Sequence, residues 1–180
     1  MTPAERERAI TSLDESRERL LATVRKLSAS QLAFKPGAER WSVAECVEHI
    51  ILVESSILRA IEKTVQGSVD SPPNALEDDA LLARVVDRSE RMKGPERLMP
   101  TRRWSDDELF REFEAARKRT AEFAATTDAS LRESGFPHPA FGPLDCYQWL
   151  LLIPAHGERH RAQAEEVMAS PEFPRAASAS

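Results

Sequence analysis

The chain has 180 residues, 41% hydrophobic and 31% charged, with a formal net charge of −5. That balance excludes a disordered chain, which has too little apolar surface to offset its ordering entropy, and a membrane protein, which could not bury so many charges. The charges lie on mixed Arg/Glu faces such as residues 5–19 and 111–119, so there is no basic stripe to hold a nucleic acid.

The opening MTPAERERAI has no apolar signal core, so a cytoplasmic location is expected. A first helix is predicted over residues 3–27. Pro3 suits its first turn, and Ile10, Leu13, Leu20, Leu21, Val24 and Leu27 make an apolar stripe opposite an Arg/Glu face. A connection over residues 28–40 contains Pro36 and Gly37. Ser42 and Glu45 then have the spacing of a capping box, in which the Ser hydroxyl and the Glu carboxylate each take a backbone amide proton. The helix they open is predicted to reach Gln66, with Val43, Cys46, Val47, Ile50, Val53, Ile57 and Ile61 facing the core and His49 beside that stripe.

Residues 67–74, GSVDSPPN, read as a loop, residues 76–92 as a short extra helix, and residues 93–103, with Pro95 and Pro100, as irregular. A second capping box, Ser105 and Glu108, opens a helix expected to end near Thr126 with Leu109, Phe110, Phe113, Ala116, Thr120 and Phe123 inward. Residues 136–143 hold three prolines and a glycine and cannot be helical; they are expected as a surface or mouth-lining loop. The last helix is predicted from Leu144 or Asp145 to Met168, kinked at Pro154. Its apolar run from Trp149 to Ala155 is far short of the roughly 20 residues of a spanning helix, so no membrane is expected. Residues 171–180 read as a frayed tail. Cys46 and Cys146 match neither a disulfide framework nor a metal spacing and read as buried thiols. The fold expected is an all-α four-helix bundle in one domain, residues 1–170, with a short extra helix in its middle connection.

Bundles build metal sites from side chains on facing helices. His156 and His160 stand at i and i+4, one turn apart on one face, so both imidazoles can reach a single ion. Glu158 stands two positions after the first histidine and points away, so the pair is not the metalloprotease HExxH. A third histidine, His49, lies on the apolar flank of another long helix, where a neutral imidazole is costly unless something satisfies its nitrogens; a metal would, and so would a hydrogen-bonding neighbour in the core.

Two segments bear a family likeness. Trp41-Ser42 followed by a histidine seven residues after the serine resembles the second-helix signature of DinB/YfiT-like proteins, and His156-Gly157-Glu158-Arg159-His160 with Gln163 looks like that family's closing HxxxH. The layout of residues 4–168 is similar as well. The resemblance implies that His49, His156 and His160 are metal ligands with water completing an open shell, that the fold is a four-helix bundle, and that the chains pair as a homodimer. It implies a metal-dependent thiol S-transferase or isomerase, using a low-molecular-weight thiol on a small electrophile.

Three imidazoles and water suit zinc, nickel or iron(II). An ion so held lowers the pKa of a bound water to about 7, or keeps a thiol as thiolate. The reading is thus a divalent-metal protein with a small-molecule substrate; a metal-dependent hydrolase and a non-catalytic ligand-binding or dimerisation bundle are its alternatives. Glu45 and Cys46, one turn before His49, stay open between cap or core and a place beside the ion. His138 is read as lining the mouth or simply exposed, and Gln163, Arg159 and Trp41 as groups able to hydrogen-bond or wall the site.

Overall fold

Each long helix of the protein begins where a side chain satisfies amides that the helix itself leaves without partners. The structure is a computed structural model in which residues 1–67, 74–89 and 94–175 are described. Thr2 and Glu5 form a capping box at the start of α1 (Pro3–Val24), Ser28 and Gln31 at α2 (Ala29–Ala33), and Ser42 and Glu45 at α3 (Val43–Gln66). After α4 (Asp78–Val86), Ser105 and Glu108 cap α5 (Asp106–Thr126), and the Asp145 carboxylate takes the Gln148 amide at the start of α6 (Cys146–Met168).

Several bounds differ from the sequence expectation. The first helix stops at Val24, and the following connection holds the one-turn α2. The extra helix is only α4, because the Asp87 carboxylate takes the Ser89 amide and hydroxyl in a local turn that competes with helix. The expected loop 67–74 and the far end of the helix expected to Met92 lie mostly outside the described residues. Among its described residues the irregular stretch contains one 3-10 turn, Glu96–Leu98. Residues 136–143 are non-helical as expected but form most of a small antiparallel hairpin, β1 (Gly135–His138) with β2 (Gly142–Asp145). Pro137 faces Pro143 in it, so two residues without amide protons share one position, and Gly142 turns the chain at φ +75. The tail is docked as far as Pro174, where fraying was expected: Phe173 packs edge-on against Phe34, with centroids 5.5 Å apart, and Gln31 donates to the Pro174 carbonyl at 2.9 Å.

The four long helices form the bundle, α1 and α3 each packing against both α5 and α6, with α4 laid along α6. The core falls into two apolar clusters. One holds Leu13 of α1, Ile61 of α3, Ala124 of α5 and the first half of α6; the other holds Leu20 and Val24, Val43 to Ile51, Leu109 to Ala116, and Ala164 and Val167. Reading each helix from one cluster to the other, α1 and α6 run in one sense and α3 and α5 in the opposite one.

Between the clusters lies a polar layer unforeseen in the sequence. Arg117, 2% exposed, donates from Nε and Nη2 to the Glu54 carboxylate at 3.1 Å each, and from Nη1 to the Leu13 carbonyl at 2.6 Å and Ser16 Oγ at 2.5 Å. Thr120 adds its hydroxyl proton to Glu54 at 2.7 Å. Every donor in the layer therefore has a partner, the condition under which a buried ion pair is tolerated. Phe110 and Phe123, expected inward, are only half-buried, and Arg117 holds the inward position instead. Among the described residues no helix is long and apolar enough to cross a membrane.

Candidate metal centre

The second turn of α3 and the second half of α6 face each other, as two neighbouring helices of the bundle. His49 projects from the first, His156 and His160 from the second. Their potential ligand atoms all lie within 4.8 Å of one another, with ring centroids 5.1, 4.6 and 4.4 Å apart. The structure thus brings together the three histidines singled out in the sequence. His49 and His160 are buried and His156 is half-buried.

Which nitrogen each ring offers is set by the partner of the other one. The Leu98 carbonyl can only accept, so the 2.8 Å contact from His49 Nδ1 places the proton on Nδ1 and leaves the Nε2 lone pair free. His160 Nδ1 lies 2.8 Å from Gln163 Oε1. Arg88 Nη1 also points at that atom, at 3.4 Å, which identifies it as the amide oxygen and so makes His160 Nδ1 a donor too. Arg88 is in turn anchored on Glu166 at 2.7 Å. His156 has no ring hydrogen bond among the described residues.

Burial is the first cause that lowers the pKa of all three: it acts on His49 against the Leu98 carbonyl, it takes His156 well below the ordinary 6.5, and it pushes His160 down to about 3. His160 and His49 also disfavour a charge on His156, and His49 disfavours one on His160. At neutral pH the cluster therefore presents neutral rings with lone pairs, which is the form a divalent cation requires.

Trp41 forms one wall, its ring 4.8 Å from that of His49 and stacked 5.7 Å from that of His160. Glu45 is taken up by its cap, accepting the Ser42 amide at 2.7 Å and Lys35 Nζ at 2.8 Å, and is not turned to the cluster. Cys46 is wholly buried in the core, and burial pushes its thiol up to about 12. Cys146 is buried likewise. Arg159 donates to the carbonyls of Val85 and Asp87, fastening the end of α4 to α6. Glu158 pairs with Arg19 at 3.1 Å and Arg161 at 2.9 Å, away from the histidines. His138, half-buried on β1, stacks on Phe141 with centroids 4.5 Å apart and lies tilted against Trp149 at 5.1 Å.

Two contributors had no clear sequence signal. A backbone carbonyl such as that of Leu98 has no side-chain signature. Glu48, 1% exposed, accepts the amides of Thr101 at 2.9 Å and Arg102 at 2.7 Å and Arg103 Nε at 2.8 Å. Its one hint was an acid set among Ala44, Val47 and Ile51, all buried. Arg102 is held at φ +58, a left-handed conformation costing a bulky residue about 1–2 kcal/mol that persists only where its surroundings impose it.

The family model of the DinB superfamily matches residues 12–164. The uncharacterized protein YuaE of Bacillus subtilis (strain 168) is 29% identical over 159 residues, covering 86% of this chain and 93% of YuaE. Among solved structures, YfiT from Bacillus subtilis superposes with a TM-score of 0.61 at 18% identity, over 93% of this chain and 88% of YfiT; it is described as a probable metal-dependent hydrolase with an unusual four-helix bundle topology.

Proposed function

The chain belongs to the DinB superfamily, and from that premise we propose that it is a divalent-metal-dependent enzyme whose ligands are His49, His156 and His160. The observation that carries this is the tautomer pattern: two of the three rings have their Nδ1 protons taken by Leu98 and Gln163, which leaves Nε2 lone pairs within a cluster whose ligand atoms span 4.8 Å. A core histidine kept only for packing needs no such convergence. Neutral nitrogen donors suit zinc, nickel or iron(II). An ion bound there supplies Lewis acidity, polarising a substrate oxygen and lowering the pKa of a coordinated water or thiol toward neutrality.

The rest is done by this chain's own groups. Leu98 and Gln163 orient two of the rings, and Arg88 keeps Gln163 in place. Trp41 supplies an apolar wall that limits water at the His49–His160 side. We assign hydrolysis of a small molecule as the reaction class, supported by the description of YfiT, which shares the fold. Transfer of a low-molecular-weight thiol to an electrophile rests on the family resemblance alone and forms the second arm of the assay. Pairing into a homodimer has the same basis.

The test begins with elemental analysis of untagged protein beside His49→Ala and His160→Ala. About one zinc, nickel or iron per chain, lost in both variants while helicity is kept, is expected; no metal after reloading and dialysis would leave a non-catalytic bundle. Metal-loaded protein is then assayed on esters and amides, and on thiol with electrophile, and light scattering of the same sample reads the number of chains.

A further inference from the structure

The segment over residues 94–103 crosses α3 at the metal centre, and two consecutive α3 residues hold it. His49 donates to the Leu98 carbonyl, and Glu48 receives three protons from Thr101, Arg102 and Arg103. Gly94, at the start of this strap, lies against the His49 ring: a Cβ there would stand 3.9 Å from Cε1. The strap therefore meets His49 at Gly94 and at the Leu98 carbonyl, and its only left-handed non-glycine residue, Arg102, is the one whose amide makes the shortest bond to Glu48.

A carboxylate with 1% exposure that spends its oxygens on two backbone amides and a guanidinium is satisfied only in this arrangement of the strap. We infer that Glu48 is a positioning residue for the metal centre: it latches the strap so that the Leu98 carbonyl stays on His49 Nδ1 and His49 presents Nε2 to the ion. Without the latch the Leu98 carbonyl is free to leave, and the His49 proton can move to Nε2, the nitrogen the ion needs. The inference rests on the three-histidine reading for its metal readout, but the tautomer of His49 can be read in metal-free protein and tests the latch separately.

The experiment compares wild type with Glu48→Gln, in which an amide cannot accept from both backbone donors with both of its atoms. Nitrogen-detected NMR of the metal-free proteins is expected to show His49 protonated on Nδ1 in wild type and as a tautomer mixture in the variant. Titration with zinc and with cobalt, against a chelator, is expected to show affinity reduced roughly 10–100-fold, the usual effect of losing an outer partner of a ligand, with circular dichroism unchanged. A single Nδ1–H tautomer and an unaltered affinity in the variant would overturn the latch; zinc binding absent from wild type, with the tautomer shift present, would overturn the metal centre and keep the latch. Hydrogen exchange of wild type covers the case in which Glu48→Gln fails to fold. The His49 Nδ1 proton and the Thr101 and Arg102 amides should then exchange through one common opening, and independent exchange of His49 would overturn the proposal.

Discussion

A neutral imidazole offers a cation only the nitrogen whose proton is elsewhere, so the atom that takes the other proton decides whether a histidine can be a ligand. For His160 that atom is Gln163 Oε1. Gln163→Leu removes the acceptor while leaving Arg88 its Glu166 partner, and zinc affinity measured by chelator competition should fall roughly 10–100-fold. Gln163→Glu, which still accepts, should keep most of it. Equal affinities for wild type and the Leu variant would mean that His160 needs no outer partner. At this scale the histidines could be read from the sequence through their i, i+4 spacing and an imidazole on an apolar flank. Gln163 was visible as a group near the pair without a rank. Leu98 was invisible, because its contribution is a carbonyl brought across by a turn.

Among the elements, α3, α5 and α6 could be read at nearly their true lengths, since Ser42 with Glu45 and Ser105 with Glu108 mark starts by side-chain chemistry that acts locally. The hairpin could not, because four-residue strands carrying Pro137 and Pro143 show no alternation to detect. Arg117 was hidden for another reason: within DELFREFEAARKR a charged residue reads as solvated face, and only the meeting of α5 with Glu54 of α3 and Ser16 of α1 makes it a buried one. That layer invites a test. Glu54→Leu alone should cost about 3–5 kcal/mol, since it strands a buried guanidinium, whereas Glu54→Leu with Arg117→Met should come within a few kcal/mol of wild type on either side. Urea denaturation of the metal-free proteins measures both, and a double variant as unstable as the single one would show that the layer contributes more than mutual compensation.

For the molecule as a whole, the histidine cluster makes stability depend on pH. His49, His156 and His138 have pKa values below the ordinary 6.5, and burial pushes His160 down to about 3. A group held below its unfolded value takes up its proton only in the unfolded chain as pH falls, so the stability present above pH 6.5 drains away below it; His160 alone contributes up to about 1.4 kcal/mol per pH unit. Two carboxylates are held down against burial, Glu5 by the Thr2 amide and then Arg132, and Asp78 by Arg132; they start from ordinary values of 4.5 and 3.8 and enter only at lower pH. Unfolding free energy of metal-free protein should therefore drop steadily between pH 6.5 and 5, and less steeply in His160→Gln. A flat profile would contradict a neutral, buried cluster.

Trp41 has one more property by virtue of its place. An indole 4.8 Å from one imidazole and stacked 5.7 Å from another lies within contact range for electron transfer and exchange quenching from its excited state. Its emission is therefore expected to answer to the charge and occupancy of the cluster, while Trp104 sits against Arg103 and Trp149 against Phe136 and His138. The protein thus carries an intrinsic lamp beside its centre, and an ion entering there is expected to dim or shift it without any added label.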